Sequence, residues 1–172
     1  RARLDGDTGV LEGAKQWIPS GAYAGVFVVW ARTGDKTTHP GGKGLTCFLV
    51  EAGTPGLRIG RKEDKMGLRG SNTVALELEG VRVPASALLG ELHGGFKIGM
   101  MALDGGRIGI ASQALGIARA ALDESVTYAK DRKAFGKSIG EFQAIQWKLA
   151  DMRTAIDAAH MLTMRAATLK EA

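Results

Sequence analysis

A chain of 172 residues with 45% hydrophobic and 24% charged residues has ordinary globular composition and is long enough for one or two small domains with real cores. Its 25 glycines against 4 prolines argue against a disordered Pro/Gly segment. Its formal charge of +5 is interspersed with acids rather than gathered on one face, as nucleic-acid binding would require. The excess reads as solvated surface, with room for an anionic ligand.

The single cysteine, Cys47, excludes an internal disulfide and a Cys-x-x-Cys metal site, and points to a reducing compartment. It sits in an apolar run, residues 45–50, and reads as a small buried hydrophobe. His39, His93 and His160 show no ligand spacing, so no metal is expected. The longest apolar run, residues 22–31, is about half what a membrane-spanning helix needs. No signal or transit peptide is visible, and the chain opens on Arg1 without a Met.

In chain order, Asp5-Gly6-Asp7 signals a turn. Val10-Leu11-Glu12-Gly13 reads as a short strand, followed by Lys15-Gln16-Trp17-Ile18. Pro19 removes a ladder donor, so that strand ends there or lies at an edge. Residues 26–33 form an apolar, β-branched run and read as a central strand. Residues 34–44 are a polar loop and 45–51 the next strand, a hairpin with a long exposed tip. Thr54-Pro55-Gly56 is a turn, residues 57–59 a short strand and residues 61–72 a charged loop. Residues 73–79 alternate as a half-buried strand does, and Gly80 turns into Val81-Arg82-Val83-Pro84.

Near residue 94 the period switches from two to 3.6, which marks a domain boundary: a β-rich part over 1–93 and a helical part over 94–172. The first helix, residues 96–130, is rich in small residues, among them Gly99, Gly105, Gly106, Gly109 and Gly116. Each interior glycine costs roughly 1 kcal/mol relative to alanine. Either tight helix packing or an extended ligand along that face explains them. The connection Arg132-Lys133-Ala134-Phe135-Gly136-Lys137 is short. Ser138-Ile139-Gly140-Glu141 fits a capping box opening the second helix. From there Ile139, Phe142, Ile145, Leu149, Met152, Ile156, Ala159 and Leu162 step by three or four, an apolar face close to a heptad seam. Two helices cannot cover each other on all sides, so further helical partners are expected. The pattern alone gives an α+β chain: an antiparallel β unit of five to seven strands, then a helical hairpin.

Five segments then carry a resemblance. They are Lys15-x-Trp17-Ile18; Lys62-Glu63-Asp64-Lys65-Met66-Gly67-Leu68-Arg69-Gly70-Ser71; Gly94-Gly95-Phe96-Lys97; Leu103-Asp104-x-x-Arg107; and Arg132-x-Ala134-Phe135-Gly136. In this order and spacing they resemble the acyl-CoA dehydrogenase family. The run from Gly106 to Ala118 is especially similar to short-chain, butyryl-type members.

The resemblance implies an antiparallel barrel- or sandwich-like middle domain, then the first two antiparallel helices of a four-helix bundle. It implies FAD, an acyl-CoA thioester substrate and α,β-dehydrogenation to the trans-2-enoyl-CoA. It also implies electron transfer to an electron-transfer flavoprotein and a homotetramer, or less often a dimer. Bacterial cytoplasm and mitochondrial matrix both suit it. Carried over residue by residue, Trp17, Ile18, Pro19 and Ser20 lie beside the flavin. Arg132, Phe135 and Gln143 contact a neighbouring subunit's FAD. Asp104, Gly105, Gly106 and Arg107 meet the acyl-CoA. Pro19 stands where the family usually has Thr, and Ser20 substitutes for that hydroxyl only with a backbone shift. Glu12, Glu63 and Glu141 match no base position, and Gly106 closes another, so the catalytic Glu is expected beyond residue 172. The chain alone is then expected to be inactive. Two alternatives keep the sequence pattern: an oxidase or flavin monooxygenase of the same fold, and a non-catalytic module that oligomerises through its apolar seam.

Overall fold

The computed structural model describes residues 1–171. Its elements are β1 (Ala2–Asp5), β2 (Thr8–Pro19), β3 (Val26–Arg32), β4 (Leu45–Glu51), β5 (Leu57–Lys62), β6 (Thr73–Pro84), β7 (Leu88–Leu89), α1 (Gly95–Asp131), β8 (Lys133–Ala134), β9 (Lys137–Ser138) and α2 (Gln143–Glu171). The chain is α+β, with antiparallel sheets and two long helices. It divides into two compact units, Arg1–Met101 and a second beginning at Ala102, so the division falls inside α1.

In the first unit β1, β2, β6 and β5 form a four-stranded sheet, and β3, β4 and β7 a three-stranded one. The sheets do not close into a barrel; they share a core. Leu11 from β2, Val74, Leu76, Leu78, Val81 and Val83 from β6, Phe27 and Val29 from β3, and Phe48 and Val50 from β4 are all buried in it. Each such side chain stabilises the fold by about 1.5–3 kcal/mol. Cys47 is buried too, and burial pushes its thiol up, away from the reactive thiolate.

Two strand expectations need correction. β3 is not central but at an edge: although its residues are almost all apolar, Phe27, Val29 and Ala31 are buried while Val26 and Val28 are exposed. Composition cannot separate a two-sided strand from a one-sided one when the wet face also carries valine. Gly80 does not separate two strands. It takes φ +62 inside β6, where the ladder shifts between Leu11–Val81 and Gly13–Leu78. A glycine within a strand marks such a bulge. The 34–44 tip is exposed over most of its length, as expected, and the Arg32 guanidinium braces it by donating to the carbonyls of His39 at 3.1 Å and Gly41 at 2.5 Å, with Gly34 and Gly44 buried.

In the second unit α1 and α2 pack antiparallel through Leu115, Leu122 and Ile156, with Ala118, Val126, Leu149 and Met152 around them. Much apolar surface stays uncovered, including Ile110, Ile117, Trp147, Met161 and Leu162. The connection is itself a β-hairpin, pairing Lys133 with Ser138 and Ala134 with Lys137. The capping box forms, but it opens a single 3-10 turn, Ile139–Glu141, not the helix. Phe142 is extended (φ −86, ψ 127), and α2 begins at Gln143, so Ile139 and Phe142 precede the helical face.

Candidate functional site

The candidate residues are best built from backbone strain. Among the described residues, five non-glycine residues have positive φ: Trp17, Ser20, Leu68, His93 and Phe135. Three of them belong to the candidate set. Non-glycine left-handed backbone costs roughly 1–2 kcal/mol, and such strain gathers at functional sites.

In the first unit Trp17 sits in a bulge. Lys15 pairs with Leu76 and Ile18 with Val74, so Gln16 and Trp17 together oppose Ala75. The bulge, with φ 56 at Trp17, sends the indole outward, leaving it 71% exposed. Ile18 and Pro19 line an apolar recess of about 340 Å³ with Lys15, Val28, Trp30 and Leu76. The Lys15 ammonium donates to the Trp30 carbonyl at 2.7 Å across it. Ser20 follows at φ 59, exposed, its amide given to the Asn72 carbonyl at 2.9 Å.

The second unit holds the other candidates. Phe135 (φ 52) and Gly136 (φ 80) are the two turn residues of the β8–β9 hairpin, both left-handed as a tight primed turn requires. Phe135 is 96% exposed, its ring perpendicular to that of Phe142 with centroids 6.2 Å apart. Arg132 is exposed; its backbone closes the hairpin by accepting from the Ile139 amide at 2.8 Å. Among the described residues its guanidinium makes no ion pair. Gln143 is exposed at the first position of α2. Arg132, Phe135 and Gln143 therefore gather around one hairpin.

Asp104, Gly105, Gly106 and Arg107 lie in the N-terminal half of α1, Asp104 and Arg107 both exposed. At about 1.5 Å per residue, about 36 Å of helix separates Arg107 from the hairpin. The structure does not bring these two groups together. Among the described residues Asp104 and Arg107 form no ion pair. The glycines also discriminate. A Cβ at Gly106, Gly109 or Gly116 meets nothing within 4 Å. Contact between α1 and α2 is not what keeps those side chains absent.

Asn72 is the residue that sequence reasoning passed over. It is buried, and its Oδ1 accepts from the Ala22 amide at 3.0 Å. The signal was the polar run Ser71-Asn72-Thr73 leading into the apolar start of β6, Val74-Ala75-Leu76.

The comparisons with known proteins fit this geometry. The sequence model for the acyl-CoA dehydrogenase middle domain matches residues 1–81, and that for the acyl-CoA dehydrogenase C-terminal domain matches residues 93–172. The chain belongs to the acyl-CoA dehydrogenase family. It is 55% identical over 170 residues to the mitochondrial short-chain specific acyl-CoA dehydrogenase of Bos taurus, covering 99% of this chain and 40% of that one. Butyryl-CoA dehydrogenase from Megasphaera elsdenii superposes with a TM-score of 0.91 at 49% identity, over 98% of this chain and 44% of that one. A glutaryl-CoA dehydrogenase from Mycobacterium smegmatis, solved with FADH2, gives 0.86 at 36% identity, over 99% and 42%. The chain spans about two fifths of the length of these family members.

Proposed function

We propose that this chain is a portion of an FAD-dependent short-chain acyl-CoA dehydrogenase, with residues 1–93 its middle β domain and 94–172 the first two helices of its C-terminal domain. The observation that carries the reading is Trp17: a large aromatic held in water by a strained bulge, beside an apolar recess, where burial would be the cheaper arrangement. The near 50% identity to short-chain and butyryl-CoA dehydrogenases supports the same conclusion.

The residues present fit FAD. Trp17, Ile18 and Pro19 offer an apolar flank, and Ser20 an exposed hydroxyl. Pro19 has no N–H, and the Ser20 amide is already bonded to Asn72, so of Pro19 and Ser20 it is the Ser20 hydroxyl that can still donate. Arg132, whose planar guanidinium makes no ion pair among the described residues, suits a pyrophosphate, with Phe135 and Gln143 beside it. FAD supplies the acceptor for the hydride that leaves the β carbon. Asp104 and Arg107 bind and orient the thioester substrate, and Gly105 and Gly106 let it approach the helix backbone. The base that takes the α proton comes from outside these residues. Electrons pass to an electron-transfer flavoprotein, in bacterial cytoplasm or mitochondrial matrix. The uncovered apolar surface of α1 and α2 supports assembly into a homotetramer, or a dimer.

The test is the visible spectrum of the full-length protein. A flavin spectrum bleached by butyryl-CoA is expected. A colourless protein that takes up no FAD overturns the reading in favour of an oligomerising module. A coloured protein reoxidised rapidly by O₂ during turnover favours an oxidase.

A further inference from the structure

We propose that Asn72 is a positioning residue for the cofactor rim: it locks the turn after β2 so that Trp17 and the Ser20 hydroxyl face outward in one fixed arrangement. This rests on the FAD reading above.

The need for a lock follows from Pro19. It pairs with Thr73 at the end of β2 but has no amide to give the ladder. The chain leaving β2 is fastened instead through Asn72. The Ser20 amide donates to the Asn72 carbonyl at 2.9 Å, and the Ala22 amide donates to Asn72 Oδ1 at 3.0 Å. The turn then closes on itself, the Tyr23 amide donating to the Ser20 carbonyl at 3.0 Å. Beneath it Gly21 is buried so tightly that a Cβ there would stand 2.5 Å from Val74 Cγ2. Asn72 is 5% exposed, one of few buried polar residues among those described. A buried acceptor aimed at one amide 50 residues away in sequence fixes where the turn lies. Without it, Ser20 and Trp17, both in left-handed backbone, can relax toward ordinary conformations.

The experiment compares wild type, Asn72→Ala, Asn72→Asp and Ala22→Pro in the full-length protein. Amide exchange is read over residues 20–23, and FAD affinity and visible circular dichroism of the bound flavin are read beside it. Asn72→Ala is expected to speed exchange over the turn, to weaken FAD binding about tenfold, the scale of one lost hydrogen bond, and to change the flavin circular dichroism. Asn72→Asp keeps the acceptor and is expected to restore all three. Ala22→Pro deletes the same bond from its exposed donor side, so the test survives if Asn72→Ala does not fold. Unchanged exchange, or unchanged FAD affinity and spectrum in both deleting variants, overturns the proposal while leaving the FAD reading standing. A wild-type protein that takes up no FAD sinks both.

Discussion

The Ser138 hydroxyl donates to the Ala129 carbonyl at 2.6 Å, fastening the end of the hairpin to the last turns of α1. The same oxygen accepts the Gly140 amide at 3.3 Å, and Glu141 returns a carboxylate to the Ser138 amide at 3.2 Å. One side chain thus serves the end of one helix and the approach to the next. Ser138→Ala is expected to lower stability by about 1–2 kcal/mol, the sum of a lost cap and a lost carbonyl partner. Urea unfolding followed by circular dichroism checks it, with Glu141→Ala expected to cost less.

Two glycines of α1 are expected to behave oppositely. A Cβ at Gly95 would stand 2.8 Å from the Cys47 nitrogen and the Thr46 carbonyl carbon, both rigid backbone. Gly95→Ala is expected to destabilise by about 3 kcal/mol, at the upper end for overpacking. Gly106→Ala meets open space and is expected to stabilise the chain by about 1 kcal/mol through helix propensity. In the full-length protein the same Gly106→Ala is expected to raise KM for butyryl-CoA. Thermal melts set against Michaelis plots separate the two effects.

Trp17→Gly removes a side chain that buries little and frees a left-handed position. The chain is expected to gain about 1 kcal/mol of stability, and the full-length protein to lose most of its FAD affinity. Loss of stability together with retained flavin would contradict the placement of Trp17 at the cofactor.

Acid is expected to weaken the first unit. The His93 ring packs on His39 with centroids 4.2 Å apart, and its Nδ1 lies 3.1 Å from the Thr33 hydroxyl. The Arg32 guanidinium holds the His39 carbonyl close by. Desolvation first, then the neighbouring His39, holds His93 below the ordinary imidazole value of 6.5. The folded state therefore binds fewer protons than the unfolded one near that pH. This contribution is complete above about pH 6.5 and is lost as pH falls through the lowered folded value. His93→Gln is expected to flatten the stability profile between pH 7 and pH 5, read by denaturant midpoints (both pH values bracket, roughly, the imidazole range). It also keeps a polar partner for Thr33.

Much of this was legible in the sequence. The change of period near residue 94 located the helices, and the alternation in residues 73–79 gave the inward face of β6. The bulge at Trp17 was not legible. It depends on Ala75 opposing two residues, a register fact that no local pattern carries. The β8–β9 hairpin was hidden because its turn uses Phe135 where Asn or Asp would have announced it. The 3-10 turn was hidden because a capping box signals a helical start without saying how many turns follow. Asn72 escaped because its partner lies 50 residues away.

β3 lies at the rim of its sheet, with Val26 and Val28 on its wet side. Bare main-chain donors and acceptors beside valine are a template for intermolecular β pairing, relieved here chiefly where Lys15 reaches the Trp30 carbonyl. In concentrated solution the isolated 172-residue chain therefore fails first by clouding. Light scattering would rise while the helical signal was still intact.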